Sequence, residues 1–263
     1  MATSAVKTIG QALQRTGGFK VERSERRVCD QHGEYLSNKY FCGWSPCPKC
    51  IEELHRAEDE DRRKRDAADR VQAKTKRLYD RAAIPPRFEN RTLDNFRVEN
   101  DGQRKAMASA RKYISEFDLQ QGVSMIFCGG VGAGKTHIAV GIAKSLMGTN
   151  HSALFMSVIG AVRSIKETWG HRDRSEREAL NDLIEPDLLI LDEVGVQFGS
   201  DAEKLILFEI INGRYENCRS TILISNLAIQ SLTEYLGERV VDRLREGGGR
   251  MVLFDWSSYR GHK

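Results

Sequence analysis

Short apolar runs alternate with amphipathic segments through the carboxyl-terminal two-thirds of the chain. Each run is five or six residues long, which is too short for a core helix but typical of a buried strand. The five runs are residues 123–128, 153–158, 187–192, 221–225 and 250–254. Strands that alternate with helical patterns predict crossover units, and therefore an α/β fold with a parallel sheet covered by helices on both faces.

Helices are predicted between these runs and ahead of the first one. In residues 102–118 the apolar positions recur at helical spacing and share one face. Ser200 and Ser231 are each followed three residues later by a glutamate, which is the capping-box pattern that opens a helix. We therefore expect helices to begin at both serines.

A highly charged segment precedes this alternating region. From Glu52 to Arg81, 19 of 30 residues are charged, there is no glycine or proline, and acids precede bases by four residues. This spacing supports a solvated single helix, which Pro85 and Pro86 would end. The segment is predicted to be a spacer, and the alternative is that its few apolar residues dock on a partner. Those residues are Val71, Leu78 and Tyr79.

Three segments follow from these patterns: an N-terminal module (1–51), a charged helical linker (52–87) and an α/β domain (88–263). The chain of 263 residues is 40% hydrophobic and carries a net charge of +4, which excludes collagen-like and wholly disordered classes. Eight Lys/Arg against four acids in residues 1–51 account for the excess. Such a module suits an acidic protein surface or a phosphate backbone, and charge alone does not choose between them.

The sequence also bears on localisation. No run of about 18 apolar residues is present, and residues 1–18 have no apolar block followed by a cleavage site. We expect no membrane association and a cytoplasmic protein.

The N-terminal module contains a dense Cys/His cluster. Cys29-x-x-His32 and Cys47-x-x-Cys50 are two knuckles that can turn four donors toward one tetrahedral Zn²⁺. Cys42 lies between the two pairs and is not expected to be a ligand, although it could replace His32. A closed four-ligand site is structural, so the zinc is expected to fold the module and to perform no chemistry.

A phosphate-binding loop follows the first predicted strand. It matches the pattern G-x-x-x-x-G-K-[ST] and leads directly into a helical pattern. Its backbone amides would surround phosphates, the Lys135 ammonium would reach the β- and γ-phosphates, and the Thr136 hydroxyl would ligate Mg²⁺. The loop consists of Gly129, Gly130, Val131, Gly132, Ala133, Gly134, Lys135 and Thr136.

Two carboxylates end the third apolar run, where ligands of open α/β sheets bind. Asp192 would complete the Mg²⁺ shell and Glu193 would polarise the attacking water, which indicates hydrolysis rather than binding alone. Asn226 follows the fourth run, where an amide can orient that water. Arg239 and Arg243 would share one helix face, and a cation there could stabilise the charge of phosphoryl transfer in a neighbouring subunit, although exposed arginines are usually solvated surface.

From about Phe88 to Arg260 the chain resembles the DnaC family of AAA+ replicative-helicase loaders. The strings that carry the resemblance are FRVENDGQRKAMASARKYISEFD, LLILDEVGVQ, LGERVVDRLRE and FDWSSYR. The resemblance implies ATP hydrolysis, side-by-side self-association, contact with single-stranded DNA and delivery of a ring-shaped replicative helicase. It also implies that Asn226 is sensor 1, that Arg243 is the arginine finger with Arg239 second, and that Arg260 is a sensor-2-like residue.

The N-terminal module resembles instead a zinc-bearing variant of phage and prophage DnaC-like proteins, through the strings HGEY and CPKC. By the same resemblance, residues 1–81 are expected to contact the helicase. Three other functions stay open: a transposition helper ATPase that acts with a transposase on duplex DNA, a non-enzymatic adaptor ordered by ATP, and a zinc module that reads DNA itself.

Overall fold

A computed structural model describes residues 20–170, 174–195 and 200–259, with backbone alone for residues 64, 67–76 and 78–79. The side chains of Val71, Leu78 and Tyr79 thus lie outside the described part, and so does Arg260. The chain divides into two compact units, one up to Gln72 and the other from Ala73. The three segment bounds given above stay a prediction.

The first unit is a small antiparallel sheet followed by a long helix. Its elements are β1 (Arg23–Cys29), β2 (Gly33–Tyr40), β3 (Gly43–Trp44) and most of α1 (Pro48–Arg81), whose residues from Ala73 onward belong to the second unit. Helix α1 confirms the predicted charged helix. On its surface Glu52 and Arg56, which are four residues apart, form a salt bridge of 2.9 Å.

The second unit contains all five predicted strands and the helices between them. In chain order its elements are a 3₁₀ turn at Pro86–Phe88, α2 (Asp101–Ser115), β4 (Met125–Gly129), α3 (Lys135–Gly148), β5 (Ala153–Ser157), α4 (Val158–Lys166), α5 (Glu176–Ile184), β6 (Leu188–Val194), α6 (Asp201–Glu216), β7 (Ser220–Ser225), α7 (Ile229–Leu236), α8 (Glu238–Arg245), a 3₁₀ turn at Glu246–Gly248 and β8 (Arg250–Phe254). The strands form one parallel sheet in the order β5-β6-β7-β4-β8. This confirms the α/β fold with a parallel sheet.

Helices cover both faces of this sheet and enclose two hydrophobic cores. Because successive strand residues point to opposite faces, Phe127 of β4 packs with α2 and α3, whereas its neighbour Ile126 packs with helices α4 to α8. Strand β4 is therefore buried on both sides, which explains its continuous apolar sequence.

The structure confirms one of the two predicted helix starts. Ser200 caps α6, and Glu203 completes the capping box. Ser231 does not begin a helix, so that prediction is wrong: α7 begins at Ile229, after Ala228. The Ser225 hydroxyl accepts a hydrogen bond from the Leu227 N–H and turns the chain immediately after β7, so the helix is capped at Ala228, three residues before Ser231.

A fully buried arginine joins three elements on one side of the sheet. The Arg214 guanidinium of α6 donates to the carbonyls of Leu183, Ile184 and Pro186 at the end of α5 and beyond. It also donates to the Thr221 hydroxyl of β7. Burial lowers its pKa to about 9, and the carbonyl oxygens supply the acceptors that a buried cation requires.

Among the residues that the structure describes, none of the helices has the length and apolar character needed to cross a bilayer.

Candidate functional site

The phosphate-binding loop connects the carboxyl end of β4 to the amino end of α3. Gly129 has φ 135°, and a Cβ built there would lie 2.1 Å from the Phe254 carbonyl oxygen of β8. Gly134 caps α3 with φ 93°, a left-handed conformation that favours glycine. The loop thus requires glycine at both ends, as the sequence pattern implies.

The last two residues of the loop, Lys135 and Thr136, are held in place by hydrogen bonds. Lys135 is almost completely buried, and its ammonium donates to the carbonyls of Gly129 and Gly130 at 2.7 Å each. The Thr136 hydroxyl donates to Asp192 Oδ2 across 2.8 Å. The structure therefore brings the loop and the predicted acidic residue together, in an arrangement of hydroxyl and carboxylate oxygens that suits Mg²⁺.

Burial raises the pKa of Asp192 above its ordinary value, while the Thr136 hydroxyl and the Glu193 N–H oppose that shift by donating to its oxygens. A nearby cation would favour the charged form further. Asp192 is thus a half-buried carboxyl that two hydrogen bonds and the nearby Lys135 charge stabilise in its charged form.

Glu193 sits on a distorted part of β6. Its φ is 64°, and the pairing register of β6 with β7 shifts between Leu191 and Val194. A bulge of this kind redirects a side chain, and a left-handed glutamate is a strained conformation of the sort found at functional sites. The exposed Glu193 side chain borders a cleft of about 350 Å³, whose other walls include Val158, Lys166 and Tyr235.

Asn226 is exposed immediately after β7, the strand that lies between β6 and β4. The carboxyl ends of parallel strands meet at one edge of a sheet. The structure thus places Asn226 on the same edge as Glu193 and the phosphate-binding loop.

The two candidate finger arginines of α8 have different surroundings. Arg239 is exposed. The Arg243 guanidinium lies 5.3 Å from the ring centre of Phe208 and 5.4 Å from that of Tyr215, and its Nη1 is buried without a hydrogen-bond partner. Arg243 therefore packs against its own subunit in this conformation, whereas Arg239 is accessible.

The predicted zinc ligands converge in the first unit. The Cys29, His32, Cys47 and Cys50 ligand atoms all lie within 4.8 Å of one another. His32 Nδ1 lies 3.3 Å from Cys50 Sγ and 3.8 Å from the sulfurs of Cys29 and Cys47. Metal–ligand bonds of about 2.0–2.3 Å give a tetrahedron with edges of about 3.3–3.8 Å, so this cluster can hold Zn²⁺.

The backbone also prepares this cluster for a metal. The pKa of the Cys29 thiol is lowered to about 6, first because the N–H groups of Gln31 and His32 face its sulfur. A thiolate is the form that binds metal. Cys42 is exposed and does not join the cluster among the described residues.

Sequence reasoning missed Glu53, which belongs to the Cys/His cluster. Its Oε1 lies 3.0 Å from His32 Nε2, so Glu53 accepts a hydrogen bond from the Nε2–H and leaves Nδ1 facing the sulfurs. The available signal was its spacing: Glu53 lies three residues after Cys50 on one helix and therefore on the same side.

Sequence reasoning also missed Trp256, whose indole N–H donates to the Ala133 carbonyl of the phosphate-binding loop. No local spacing connects these two residues. Their contact depends on β8 lying beside β4.

Residues 58–246 match the model of the family described as IstB-like ATP binding protein. This chain belongs to that family. Across 187 residues it is 40% identical to the replicative helicase loader DnaC of Escherichia coli (strain K12), covering 71% of this chain and 76% of that protein. The IstB-like match begins after the Cys/His cluster.

Solved structures agree with this IstB-like assignment. The crystal structure of the DnaC helicase loader superimposes with a TM-score of 0.59 at 26% identity, covering 64% of this chain and 99% of that chain. A crystal structure of the DnaI has a TM-score of 0.57 at 23% identity over 65% of this chain and 94% of that chain, which supports the fold alone. The IstB-like domain is thus an AAA+ fold of the DnaC type.

Proposed function

We propose that this protein is an ATP-dependent loader that binds a replicative DNA helicase of the hexameric DnaB type and delivers it onto single-stranded DNA. The observation that carries the proposal is the 40% identity to a replicative helicase loader over 187 residues, in a chain whose phosphate-binding loop bonds to Asp192. Fold alone would not carry it, because AAA+ domains serve many functions.

Each residue of the site has its own role in the proposed reaction. The amides of residues 129–136 bind the phosphates of ATP, and the Lys135 ammonium neutralises their charge. Thr136 and Asp192 hold Mg²⁺, which would supply charge stabilisation at the phosphates. Glu193 accepts a proton from the attacking water, and Asn226 orients that water.

Completion of the site from a neighbouring subunit is also part of the proposal. Self-association through the AAA+ domain would bring Arg243 or Arg239 to the neighbour's ATP. Arg260, whose structure is not described, stays a prediction as a further nucleotide contact.

The zinc module has a separate role in this proposal. Zn²⁺ bound by Cys29, His32, Cys47 and Cys50 would fold the small sheet onto the start of α1, because such a sheet has little core of its own. Residues 1–81 would contact the helicase. We place the protein in the cytoplasm, where that partner acts.

A transposition helper ATPase is the second candidate, because the matching family model is IstB-like. It would act with a transposase on duplex DNA. The two candidates differ in their protein partner and in the DNA that stimulates hydrolysis.

One experiment tests the loader proposal against this alternative. The purified chain is mixed with the host replicative helicase and a circular single-stranded DNA, and helicase bound to DNA is measured with ATP and without it. We expect a complex with the helicase and ATP-dependent transfer, and Lys135→Ala should form the complex but fail in the ATP-dependent step. Absence of the helicase complex, together with stimulation by duplex DNA alone, would favour the transposition helper.

A further inference from the structure

From the last residue of β8 onward, residues 254–259 pass along the phosphate-binding loop and form three hydrogen bonds with it. Phe254 accepts a hydrogen bond from the Gly130 N–H at 3.1 Å. The Trp256 indole N–H donates to the Ala133 carbonyl at 2.9 Å, and the Tyr259 N–H donates to the Gly132 carbonyl at 3.2 Å. In all three hydrogen bonds the loop contributes a backbone group.

Two of these bonds fix the direction of loop amides. In a trans peptide the C=O and the next N–H point to opposite sides, and none of the described peptides is cis. When Trp256 bonds the Ala133 carbonyl, the Gly134 N–H projects away from Trp256. The Tyr259 bond to Gly132 does the same for the Ala133 N–H. Phosphate-binding loops use such backbone N–H groups to surround phosphate oxygens.

The Trp256 ring is itself held firmly. Its centre lies 4.9 Å from that of the Phe254 ring. A Cβ built on Gly102 of α2 would lie 2.8 Å from the Trp256 ring, so the glycine leaves the space that the ring occupies. The indole donor is thus supported by two elements and reaches the loop in a defined orientation.

We propose that Trp256 is a positioning residue for phosphate binding, which holds the Ala133–Gly134 peptide so that the Gly134 N–H faces the nucleotide phosphates. It acts through the loop backbone and touches no reacting atom. This inference rests on the proposed ATP binding at residues 129–136.

The test removes the indole donor and keeps an aromatic ring. Trp256→Phe is compared with Trp169→Phe, which also deletes an indole hydrogen bond, to Glu176, but lies on an exposed turn after α4. Affinities for ADP and for adenosine are measured by displacement calorimetry on the full chain. We expect ADP affinity to fall about two- to tenfold in Trp256→Phe, the range for one neutral hydrogen bond, and to stay unchanged in Trp169→Phe.

Adenosine separates positioning from a structural role, because it carries no phosphate. Adenosine affinity should be unchanged in Trp256→Phe, so the affinity ratio of ADP to adenosine should fall. An equal loss for both ligands, or no loss for ADP, would overturn the proposal. If the wild-type chain binds no ADP, the proposed ATP binding fails instead.

A second variant controls for the packing that is lost in Trp256→Phe. Replacing Trp256 with benzothienylalanine keeps the bicyclic shape and puts sulfur in place of the N–H. The same selective loss of ADP affinity is expected, and an unchanged ADP affinity in this isostere would contradict the role of the indole donor.

Discussion

Thr136 and Asp192 share a hydrogen bond of 2.8 Å although 56 residues separate them along the chain. The bond joins the first turn of α3 to the carboxyl end of β6. Asp192 is half-buried, and burial raises the pKa of its carboxyl. The pair is therefore placed to exchange its mutual hydrogen bond for a shared cation.

Thr136→Val tests this pairing, because valine keeps the shape of threonine and lacks the hydroxyl. We expect ATP affinity to lose most of its dependence on Mg²⁺, as a hard cation loses one oxygen ligand. Calorimetry with and without Mg²⁺ measures the difference, and Thr136→Ser should behave as wild type. A Val variant with the full Mg²⁺ effect would show that Thr136 is not a ligand.

Glu193→Gln should separate ATP binding from hydrolysis. Glutamine fits the same bulge but cannot accept a proton, so turnover should fall by about 10²–10⁴, the usual contribution of a general base. Phosphate release measures turnover, and calorimetry should show unchanged ATP affinity. Glu185→Gln, exposed at the end of α5, is the matched control. Equal turnover in Glu193→Gln would place the base elsewhere.

Mixing experiments test the arginine fingers. Loss of the finger arginine should leave ATP binding intact and reduce the rate of hydrolysis by about 10³ or more. When the finger variant is mixed with Lys135→Ala subunits, activity should return at interfaces where an intact phosphate-binding loop meets an intact finger arginine. Phosphate release in the presence of helicase and single-stranded DNA measures this for Arg243→Ala and Arg239→Ala.

Thermal unfolding distinguishes the two arginines. Arg243 contacts Phe208 and Tyr215, so its removal should lower the Tm, whereas removal of the exposed Arg239 should not. If Arg243→Ala unfolds earlier but hydrolyses ATP normally, its role is packing and Arg239 becomes the finger.

Glu53→Ala should weaken zinc binding by about 10- to 100-fold, because the carboxylate orients His32 with Nδ1 toward the sulfurs. Competition with a chromogenic chelator measures the affinity. Glu52→Ala is the control, since Glu52 lies on the same helix and pairs with Arg56 instead. Purified wild-type chain without zinc would refute the metal site itself, and equal affinities in the two variants would refute the role of Glu53 alone.

Arg214→Met should destabilise the second unit by about 2–4 kcal/mol, because several buried carbonyl oxygens would lose the hydrogen-bond donor that the guanidinium provides. Urea denaturation followed by circular dichroism gives the free energy of unfolding. Arg177→Met, exposed on α5, should change it by about 0.5 kcal/mol or less. A similar small change in Arg214→Met would mean that water replaces the lost donors.

The parts of the fold that sequence predicts are those governed by local patterns. Strands β4, β6 and β7 were predictable because strands buried on both faces are continuous apolar runs, and the edge strands β5 and β8 were predictable as short apolar runs although they are only partly buried. The loop was predictable because its glycines and Lys135 follow a fixed spacing. The start of α7 at Ile229 was missed, since a hydrogen bond to Ser225 from Leu227 decides it rather than the capping pattern at Ser231.

Contacts between distant parts of the chain account for the rest. The left-handed backbone of Glu193 depends on a register shift against β7, and the Trp256 bond to Ala133 depends on β8 lying beside β4. Neither feature follows from a periodic pattern in the neighbouring sequence. The carboxylate of Glu193 could be proposed from its place after an apolar run, but its direction could not.

The close approach of Gly129 to Phe254 sets an order for biogenesis. The ribosome releases the phosphate-binding loop long before β8, the last of the five strands to be made and the one that supports the loop from the sheet edge. A nascent or prematurely terminated polypeptide thus carries the loop without its support. We therefore expect nucleotide binding only after β8 has left the ribosome and paired with β4.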